Sequence, residues 1–250
     1  MRIHERVWVV GSGDAGFGLT HPADCTVYLL DGGREWALID TGSGMDTGLI
    51  AEEILALGTP LEAVRKIFLT HGHGDHAGGA KELSAMCGAE VFAMEQTAKF
   101  VSEGDLKALS LDAAIDSGVY EQGFLFRPCK VTPLKDGDRV QVGDMEVEAL
   151  LMEGHCKGHG CFQVDLGGKK ALFSGDSVFF GGKISLQAIW DCELGDYVNT
   201  LRRLEDVRPE ALFPSHGAFS LNRGYLHCQK AMDAIRALGI PKNMIGEKTR

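Results

Sequence analysis

The feature that most constrains this chain is a group of metal-binding side chains within one short loop. Residues 69–79 have the sequence LTHGHGDHAGG, in which four of the six residues from 71 to 76 are His or Asp. The apolar run before this group is typical of a buried strand, and residues 80–86 after it predict a helix. A strand-to-helix loop of this kind is where open α/β layers place their sites. The candidate ligands are His71, His73, Asp75 and His76.

The simpler interpretation is a histidine-rich surface loop that binds nothing. Metal binding requires further ligands elsewhere in the chain, and His155, Asp176 and His216 each follow a predicted strand. Loops at the same end of neighbouring strands lie close together, so distant residues can meet there. We also expect Gly72 and Gly74 to leave the backbone free to turn the ligands inward. Five histidines and two aspartates suffice for two sites of three or four ligands, and zinc, iron or manganese suits them.

Composition favours a folded protein with a small-molecule ligand. The chain has 250 residues, of which 44% are apolar and 24% charged, so a packed core is expected, in one large or two small domains. The 35 acidic and 25 basic residues give a net charge of −10. Because proteins that grip a phosphate backbone usually carry a basic surface, we expect no nucleic acid as the main partner.

The cysteines and the hydropathy predict a cytoplasmic protein. There are seven cysteines, an odd number, and no two form a C-x-x-C pair, which fits reduced thiols better than disulfides. The first seven residues, MRIHERV, do not resemble a signal peptide. No apolar stretch approaches the roughly 18 residues that span a membrane, so no membrane partner is expected.

Strands and helices recur in two rounds along the chain, which predicts an α/β (α+β) fold with two similar halves facing each other. Hairpins are expected about the turns at 31–34, 143–144 and 167–168. The predicted strands are 7–10, 25–30, 35–40, 64–69, 89–94, 139–142, 145–151, 161–166, 170–174 and 210–213, and the predicted helices outside the 95–130 region are 47–57, 80–86, 196–204 and 226–238.

The motif G-x-G-x-x-G at 11–16 follows a strand and suggests a dinucleotide site, but such a site needs a helix to begin there. Gly18 and Pro22 interrupt the first turns of that helix, so the nucleotide interpretation is disfavoured. A flexible hairpin loop or a loop beside a pocket remain the alternatives.

Residues 95–126 predict helix with breaks near Gly104 and Gly118, within a probable helical lid insertion at about 95–130. The alternative is an ordinary helical insertion packed on the core. Substrate specificity is expected in the loops 11–22, 95–130 and 177–192. Candidate pocket walls, each of which could equally be a core residue, are Phe17, Phe179, Phe180, Trp190 and Tyr225.

The ordered set of motifs resembles the metallo-β-lactamase fold superfamily. The set comprises H-x-H-x-D-H at 71–76, Gly-His at 154–155 with His159, Gly-Asp at 175–176 and Ser-His-Gly at 215–217. The resemblance extends from Asp40 to His216. It implies one domain over 1–250, a four-layer αββα sandwich with the metal site at the shared edge of its halves, and supporting roles for Asp40 and His159. It also implies a first metal on His71, His73 and His155, a second on Asp75, His76 and His216, and Asp176 bridging the two.

This resemblance implies a metal-dependent hydrolase in which a hydroxide bridging two divalent ions, most commonly zinc, cleaves an ester, thioester, lactone or similar bond of a small molecule. Iron or manganese would be the alternative metals. Asp75 would also be catalytic, because it could steer the attacking hydroxide. The alternatives are a mononuclear iron enzyme of the persulfide dioxygenase type, a phosphodiesterase or nuclease of the same fold, and a metal-binding or redox protein without hydrolytic turnover.

Differences between this sequence and individual branches of the superfamily narrow the choice of activity. The zinc β-lactamases carry Cys or Ser where this chain has Asp176, so antibiotic hydrolysis is not expected. The acyl-homoserine lactonases carry a Tyr shortly after that Asp, whereas residues 176–180 here are DSVFF. A homodimer is common among soluble enzymes, and we expect one only on that general ground.

Overall fold

Two β-sheets form the centre of the fold in a computed structural model, which describes residues 1–120 and 124–244. The first sheet contains seven strands in the order β1 to β7, and the second contains five in the order β12-β11-β10-β9-β8. The strands are β1 (Arg2–His4), β2 (Val7–Gly11), β3 (Val27–Asp31), β4 (Trp36–Ile39), β5 (Val64–Leu69), β6 (Glu90–Met94), β7 (Thr132–Leu134), β8 (Arg139–Val142), β9 (Met145–Leu151), β10 (Gly160–Asp165), β11 (Lys170–Gly175) and β12 (Ala211–Pro214).

Helices occupy the connections between these strands. In the described part of the chain none of them is long and apolar enough to cross a membrane. They are α1 (Thr47–Ala56), α2 (Gly74–Ala77), α3 (Ala80–Cys87), α4 (Glu95–Glu103), α5 (Leu111–Asp116), α6 (Leu194–Val207) and α7 (Tyr225–Arg236).

Strand β5 lies between two parallel neighbours in the first sheet. It pairs with β4 through Leu38 and Ile67, and with β6 through Ile67 and Val91. Its last three residues, Ile67, Phe68 and Leu69, are fully buried, as expected for a strand covered on both faces. The loop that follows β5 therefore emerges at the carboxyl edge of the sheet from a rigid support.

Three apolar clusters separate four layers. Ile67 and Leu69 face the cluster under α1 and α3, whereas Phe68 faces the cluster between the sheets, as the two-residue period of a strand requires. Phe68 meets Phe162 of the second sheet there, with ring centroids 5.1 Å apart. The third cluster packs α6 and α7 on the second sheet, through residues such as Leu201. The predicted four-layer αββα sandwich is confirmed.

The region 95–126 is helical in part, and the helices end near the predicted breaks at Gly104 and Gly118. Helix α4 ends where Gly104 adopts φ +65°, the left-handed conformation that commonly terminates helices. A turn follows, and α5 is short because Gly118 is also left-handed, at φ +74°. Residues 121–123 of the predicted insertion lie outside the described residues. Residues 105–120, here called the lid segment, lie against the loop that carries the first ligands, where Leu109 approaches Gly72.

The glycine motif at 11–16 does not begin a helix. Residues 12–20 form a loop closed by hydrogen bonds from Gly13 N–H to the Asp24 carbonyl and from Leu19 N–H to the Ser12 carbonyl. Gly217 N–H donates to the carbonyl of Ala15, which joins this loop to the one after β12. The motif thus belongs to a loop beside the site described below.

Candidate metal centre

Three histidine rings meet at the end of β5. Nε2 of His71 lies 3.1 Å from Nδ1 of His73, and Nε2 of His155 lies 3.0 Å from the same atom. His155 comes from the loop after β9 in the other sheet, 82 residues from His73. Two sheets therefore contribute to one group of ring nitrogens, here called the three-histidine cluster.

A second group lies beside it and combines carboxylates with imidazoles. Oδ2 of Asp75 lies 3.3 Å from Nε2 of His76 and 3.2 Å from Nε2 of His216. Asp176 stands between the two groups, with Oδ1 3.7 Å from Nε2 of His76 and Oδ2 3.6 Å from Nε2 of His155. Asp75, His76 and His216 are called the carboxylate cluster. All seven residues predicted as metal ligands thus lie together.

Hydrogen bonds fix which ring nitrogen of His155 and His76 faces the centre. Nδ1 of His155 donates to the carbonyl of Ser185 at 2.9 Å. Nδ1 of His76 lies 2.9 Å from Oδ2 of Asp40. When Nδ1 carries the proton, Nε2 presents its lone pair, which is the form that binds a metal.

Two of the inward-facing atoms have no hydrogen-bond partner in the part of the chain that the structure describes. Nε2 of His76 and Oδ1 of Asp176 are buried without a hydrogen bond among the described residues. Buried polar atoms nearly always have a hydrogen-bond partner, so a group of buried nitrogen and oxygen atoms without one indicates a binding site. Lone pairs of nitrogen and oxygen converging from both clusters form a ligand set that suits zinc, iron or manganese, and the residues therefore fit divalent metal ions.

The three-histidine cluster is held in the neutral state. Burial lowers the pKa of His71 and His73 well below the usual range, and nearby histidines lower it further. Burial also lowers the pKa of His155, although Asp176 opposes that effect. Neutral imidazole is the metal-binding form, so no proton has to leave before these residues bind an ion.

The carboxylate cluster behaves in the opposite way. Burial alone would raise the pKa of Asp75, but His76 and His216 outweigh it and hold that pKa well below its usual range. Burial alone would lower the pKa of His76, but negative groups, including Asp75 and Asp40, raise it well above its usual value. The pKa of His216 is raised by Asp176 and Asp75 against the same burial effect. A metal ion at this cluster would therefore compete with protons more than one at the three-histidine cluster.

Asp40 supports the loop that carries the first four ligands. Its Oδ1 accepts a hydrogen bond from Thr70 N–H at 2.7 Å, and its Oδ2 contacts His76. The residue is fully buried and adopts φ +62°, a strained conformation for a residue with a side chain. Asp40 therefore positions His76 from behind the site.

His159 and Gly175 support Asp176. Nε2 of His159 accepts a hydrogen bond from the main-chain N–H of Asp176 at 3.0 Å. Gly175 has φ +51°, and a Cβ there would lie 2.6 Å from that same Nε2. The turn that presents Asp176 therefore requires glycine at 175, and His159 binds the main chain of a ligand instead of facing the centre.

The expected role of the glycines in the ligand loop was wrong. Neither Gly72 nor Gly74 has a positive φ. They are needed for space: a Cβ on Gly72 would lie 2.2 Å from Cδ2 of Leu109, and one on Gly74 would lie 2.7 Å from Cζ of Phe124. The absence of side chains lets neighbouring segments approach the ligands closely.

Two tyrosines at the site were not predicted from the sequence. Tyr120 donates from its hydroxyl to Oδ1 of Asp75 at 3.2 Å and accepts from Asp75 N–H at 3.1 Å. The hydroxyl of Tyr197 lies 3.0 Å from the carbonyl of Asp176 and 2.9 Å from that of Ser185. Neither residue belongs to a motif, and no local pattern indicates its position.

Two buried cysteines flank the ligands. Cys156 lies beside the three-histidine cluster, and Cys25 lies with Asp40 behind His76. Burial raises the pKa of Cys25 to about 12 and that of Cys156 well above its usual value. Both are therefore thiols near neutral pH in the metal-free protein.

A cavity of about 830 Å³ opens over both clusters. Of the five aromatic residues proposed as its walls, Phe179 lines it in the described structure. The lid segment supplies walls that sequence analysis did not single out, including Leu109 and Ala114. The other four candidates pack elsewhere: Phe17 on Phe219, Phe180 on His227, Trp190 against Phe100, and Tyr225 under the guanidinium of Arg208.

Curated relatives share the part of the chain that carries the site. Lactamase-like protein vrtG of Penicillium aethiopicum is 29% identical over 204 residues, which are 80% of this chain and 54% of that protein. Atrochrysone carboxyl ACP thioesterase of Aspergillus fumigatus is 26% identical over 192 residues, 76% of this chain and 37% of that protein. The chain thus spans about half the length, or less, of these relatives.

Solved structures show the same fold. A metallo-β-lactamase with a HARLDQ motif from Cronobacter sakazakii gives a TM-score of 0.74 at 22% identity, covering 95% of this chain and 93% of that one. A subclass B3 metallo-β-lactamase of Bradyrhizobium japonicum gives 0.71 at 21% identity, covering 95% and 92%.

The sequence profile described as the metallo-beta-lactamase superfamily matches residues 22–216, which include all seven predicted ligands. That stretch is most of the chain, and it contains both sheets' contributions to the site. The superfamily and these relatives point to a metal-binding hydrolase. The chain belongs to the metallo-beta-lactamase superfamily.

Proposed function

We propose that this protein is a binuclear metallohydrolase that cleaves an ester, thioester or lactone bond of a small molecule. One observation carries the proposal: seven nitrogen- and oxygen-bearing side chains from four separate segments face one another at the base of a cavity. A relative named as a thioesterase supports the reaction class.

The two clusters suggest how the ions would be held. His71, His73 and His155 would bind one ion, and the carboxylate cluster would bind the other. Asp176 would contact both, because its two carboxylate oxygens face different clusters. Zinc is the metal we propose first. When bound, such ions bring a water molecule to hydroxide near neutral pH and polarise the carbonyl that it attacks.

Asp75 is the side chain to which we assign a catalytic role. It lines the cavity, and the neighbouring His76 and His216 favour its ionised form. An ionised carboxylate beside a bound ester can orient a water molecule and accept its proton. Tyr120 holds the other oxygen of that carboxylate, so the side chain has one defined orientation.

The proposal is tested by metal analysis and turnover on the purified protein. We expect two metal ions per chain and hydrolysis of simple acyl esters and thioesters. His73→Ala should remove turnover and lower metal content while the circular dichroism spectrum is retained. His227→Ala is the matched control, because His227 lies on α7 against Phe180. One iron per chain with oxygen consumption, or metal-loaded protein that hydrolyses none of these bonds, would contradict the proposal.

A further inference from the structure

The cavity over the metal centre has a size that suits a whole small molecule. Its volume of about 830 Å³ falls in the range of about 300–1,000 Å³ typical of small-molecule sites. The lid segment forms one part of its wall, and residues 185–189 form another part. A substrate that occupies the cavity at the two clusters can therefore contact both segments.

The walls are mainly apolar. Leu109, Leu111 and Ala114 of the lid segment face the cavity, as do Leu186 and Ile189 of the other segment. Burial of an apolar group between such walls is favourable by about 0.8 kcal/mol for each methylene. The walls thus favour an apolar group over a polar one of similar size.

The same walls offer no counter-ion to an anionic substrate group. None of the described residues that line the cavity is Lys or Arg. Among the described lining residues, Asp24 is the acidic residue that lies outside the metal clusters. Its carboxylate accepts hydrogen bonds from Ser43 and Thr20. Carboxylates and phosphates are normally recognised by Arg or Lys, so a second negative charge on the substrate would enter without a partner.

Apolar surface continues from the cavity to its mouth. Val119 lines the cavity and is 66% exposed. Because Val119 both lines the cavity and is exposed at the surface, a long substrate can leave the cavity there. The apolar path therefore extends beyond the reacting bond at the metal centre.

These observations rest on the proposed hydrolase function and deepen it. We propose that the enzyme selects esters or thioesters whose acyl group is neutral, apolar and large, of the size of a medium-length alkyl chain or a fused aromatic system. Short acyl groups leave the cavity partly empty, and acyl groups with a terminal carboxylate place an unpaired charge between apolar walls.

Two matched series of S-acyl-N-acetylcysteamine thioesters test the proposal, since these compounds carry no phosphate. The first series extends from acetyl to decanoyl, and the second carries a terminal carboxylate at each length. We expect kcat/KM in the first series to rise by up to roughly fourfold per methylene until the cavity is full. The carboxylate should cancel most of this gain. Equal rates along the first series, or preference for the second, would overturn the proposal.

Two lid variants show whether this cavity is responsible. Ala114→Phe places a ring in the cavity, and we expect it to lower the decanoyl-to-acetyl ratio of kcat/KM by at least about tenfold. Ile115→Phe is the control, because Ile115 is exposed on the same helix and is not a wall of the cavity. Equal effects of the two variants on the decanoyl-to-acetyl ratio would overturn the assignment to this cavity.

A binding measurement separates this inference from the hydrolase proposal. The neutral naphthalene dye prodan should bind the metal-loaded protein with a blue-shifted emission, weakly to Ala114→Phe and normally to Ile115→Phe. Selective dye binding without thioester hydrolysis would contradict the proposed function and leave the cavity assignment standing. Hydrolysis without selectivity for chain length would contradict the cavity assignment alone.

Discussion

Oδ2 of Asp40 lies 2.9 Å from Nδ1 of His76, on the side of the imidazole away from the cavity. The pair is fully buried, and Asp40 belongs to the end of the neighbouring strand rather than to the ligand loop. The contact keeps the proton on Nδ1 and turns Nε2 toward the carboxylate cluster. The geometry of one proposed metal ligand therefore depends on a residue that faces away from the substrate.

Asp40→Asn tests that dependence. Asn has nearly the same shape and tolerates the positive φ of this position, so the fold should persist. Loss of the carboxylate weakens the hold on the proton of His76, and we expect the affinity for the second metal ion to fall about 10- to 100-fold. Competition with a chromophoric chelator measures this change. Asp165→Asn, at the exposed end of β10, is the control; equal affinities in the two variants would argue against the role of Asp40.

Tyr120→Phe tests the tyrosine that contacts Asp75. The substitution removes the hydroxyl but keeps the ring that stacks on Phe124, with centroids 4.3 Å apart. Because one oxygen of Asp75 then loses its donor, we expect kcat to fall by roughly tenfold with a smaller change in KM. Steady-state kinetics on one thioester give both constants. A change confined to KM would show that Tyr120 binds substrate without orienting Asp75.

Gly74→Ala tests the close packing against the ligand loop. The new Cβ would lie 2.7 Å from Cζ of Phe124 and 2.8 Å from Cζ of Tyr120. We expect this overpacking to lower the free energy of unfolding by about 1–3 kcal/mol, measured by urea denaturation of the metal-free protein. Gly195→Ala is the control, because a Cβ there meets nothing within 4 Å. Equal midpoints for the two variants would contradict the packing argument.

The two clusters should differ in how metal binding depends on pH. The pKa values of His76 and His216 are raised in the metal-free protein, whereas those of His71, His73 and His155 are lowered. Metal uptake by the carboxylate cluster should therefore release protons at pH 7, and its affinity should increase as the pH rises. Calorimetric titration with zinc in two buffers of different ionisation enthalpy measures the release.

The contribution of His76 and His216 to folding stability changes with pH in the opposite direction to metal affinity: it falls as the pH rises. A histidine whose folded-state pKa is raised stabilises the metal-free fold below about pH 6.5, and that contribution is lost as the pH rises through the folded-state pKa. In the calorimetric titration with zinc, binding heats that do not depend on the buffer would contradict the raised pKa values of His76 and His216.

Sequence analysis predicted that the seven candidate ligands would lie together, because each lies in a short motif after a strand. His155 and His216 could be assigned without knowledge of their contacts, since strand ends at one edge of a sheet converge. Tyr120 and Tyr197 could not, because their roles arise from packing between segments that are distant in sequence. The breaks near Gly104 and Gly118 were predicted, but periodicity overestimated the helical content after residue 95, because only 95–103 and 111–116 are α-helical among the described residues of that region.

The contact between Gly72 and Leu109 has a consequence for redesign of this enzyme. A methyl group added to Gly72 would lie 2.2 Å from Cδ2 of Leu109, so the lid segment packs tightly against the ligand loop. A larger side chain at 109, introduced to alter substrate scope, would press on Gly72, which lies between His71 and His73. Ala114 and Leu186 form other parts of the wall, so libraries directed at these positions can change selectivity while metal retention is preserved.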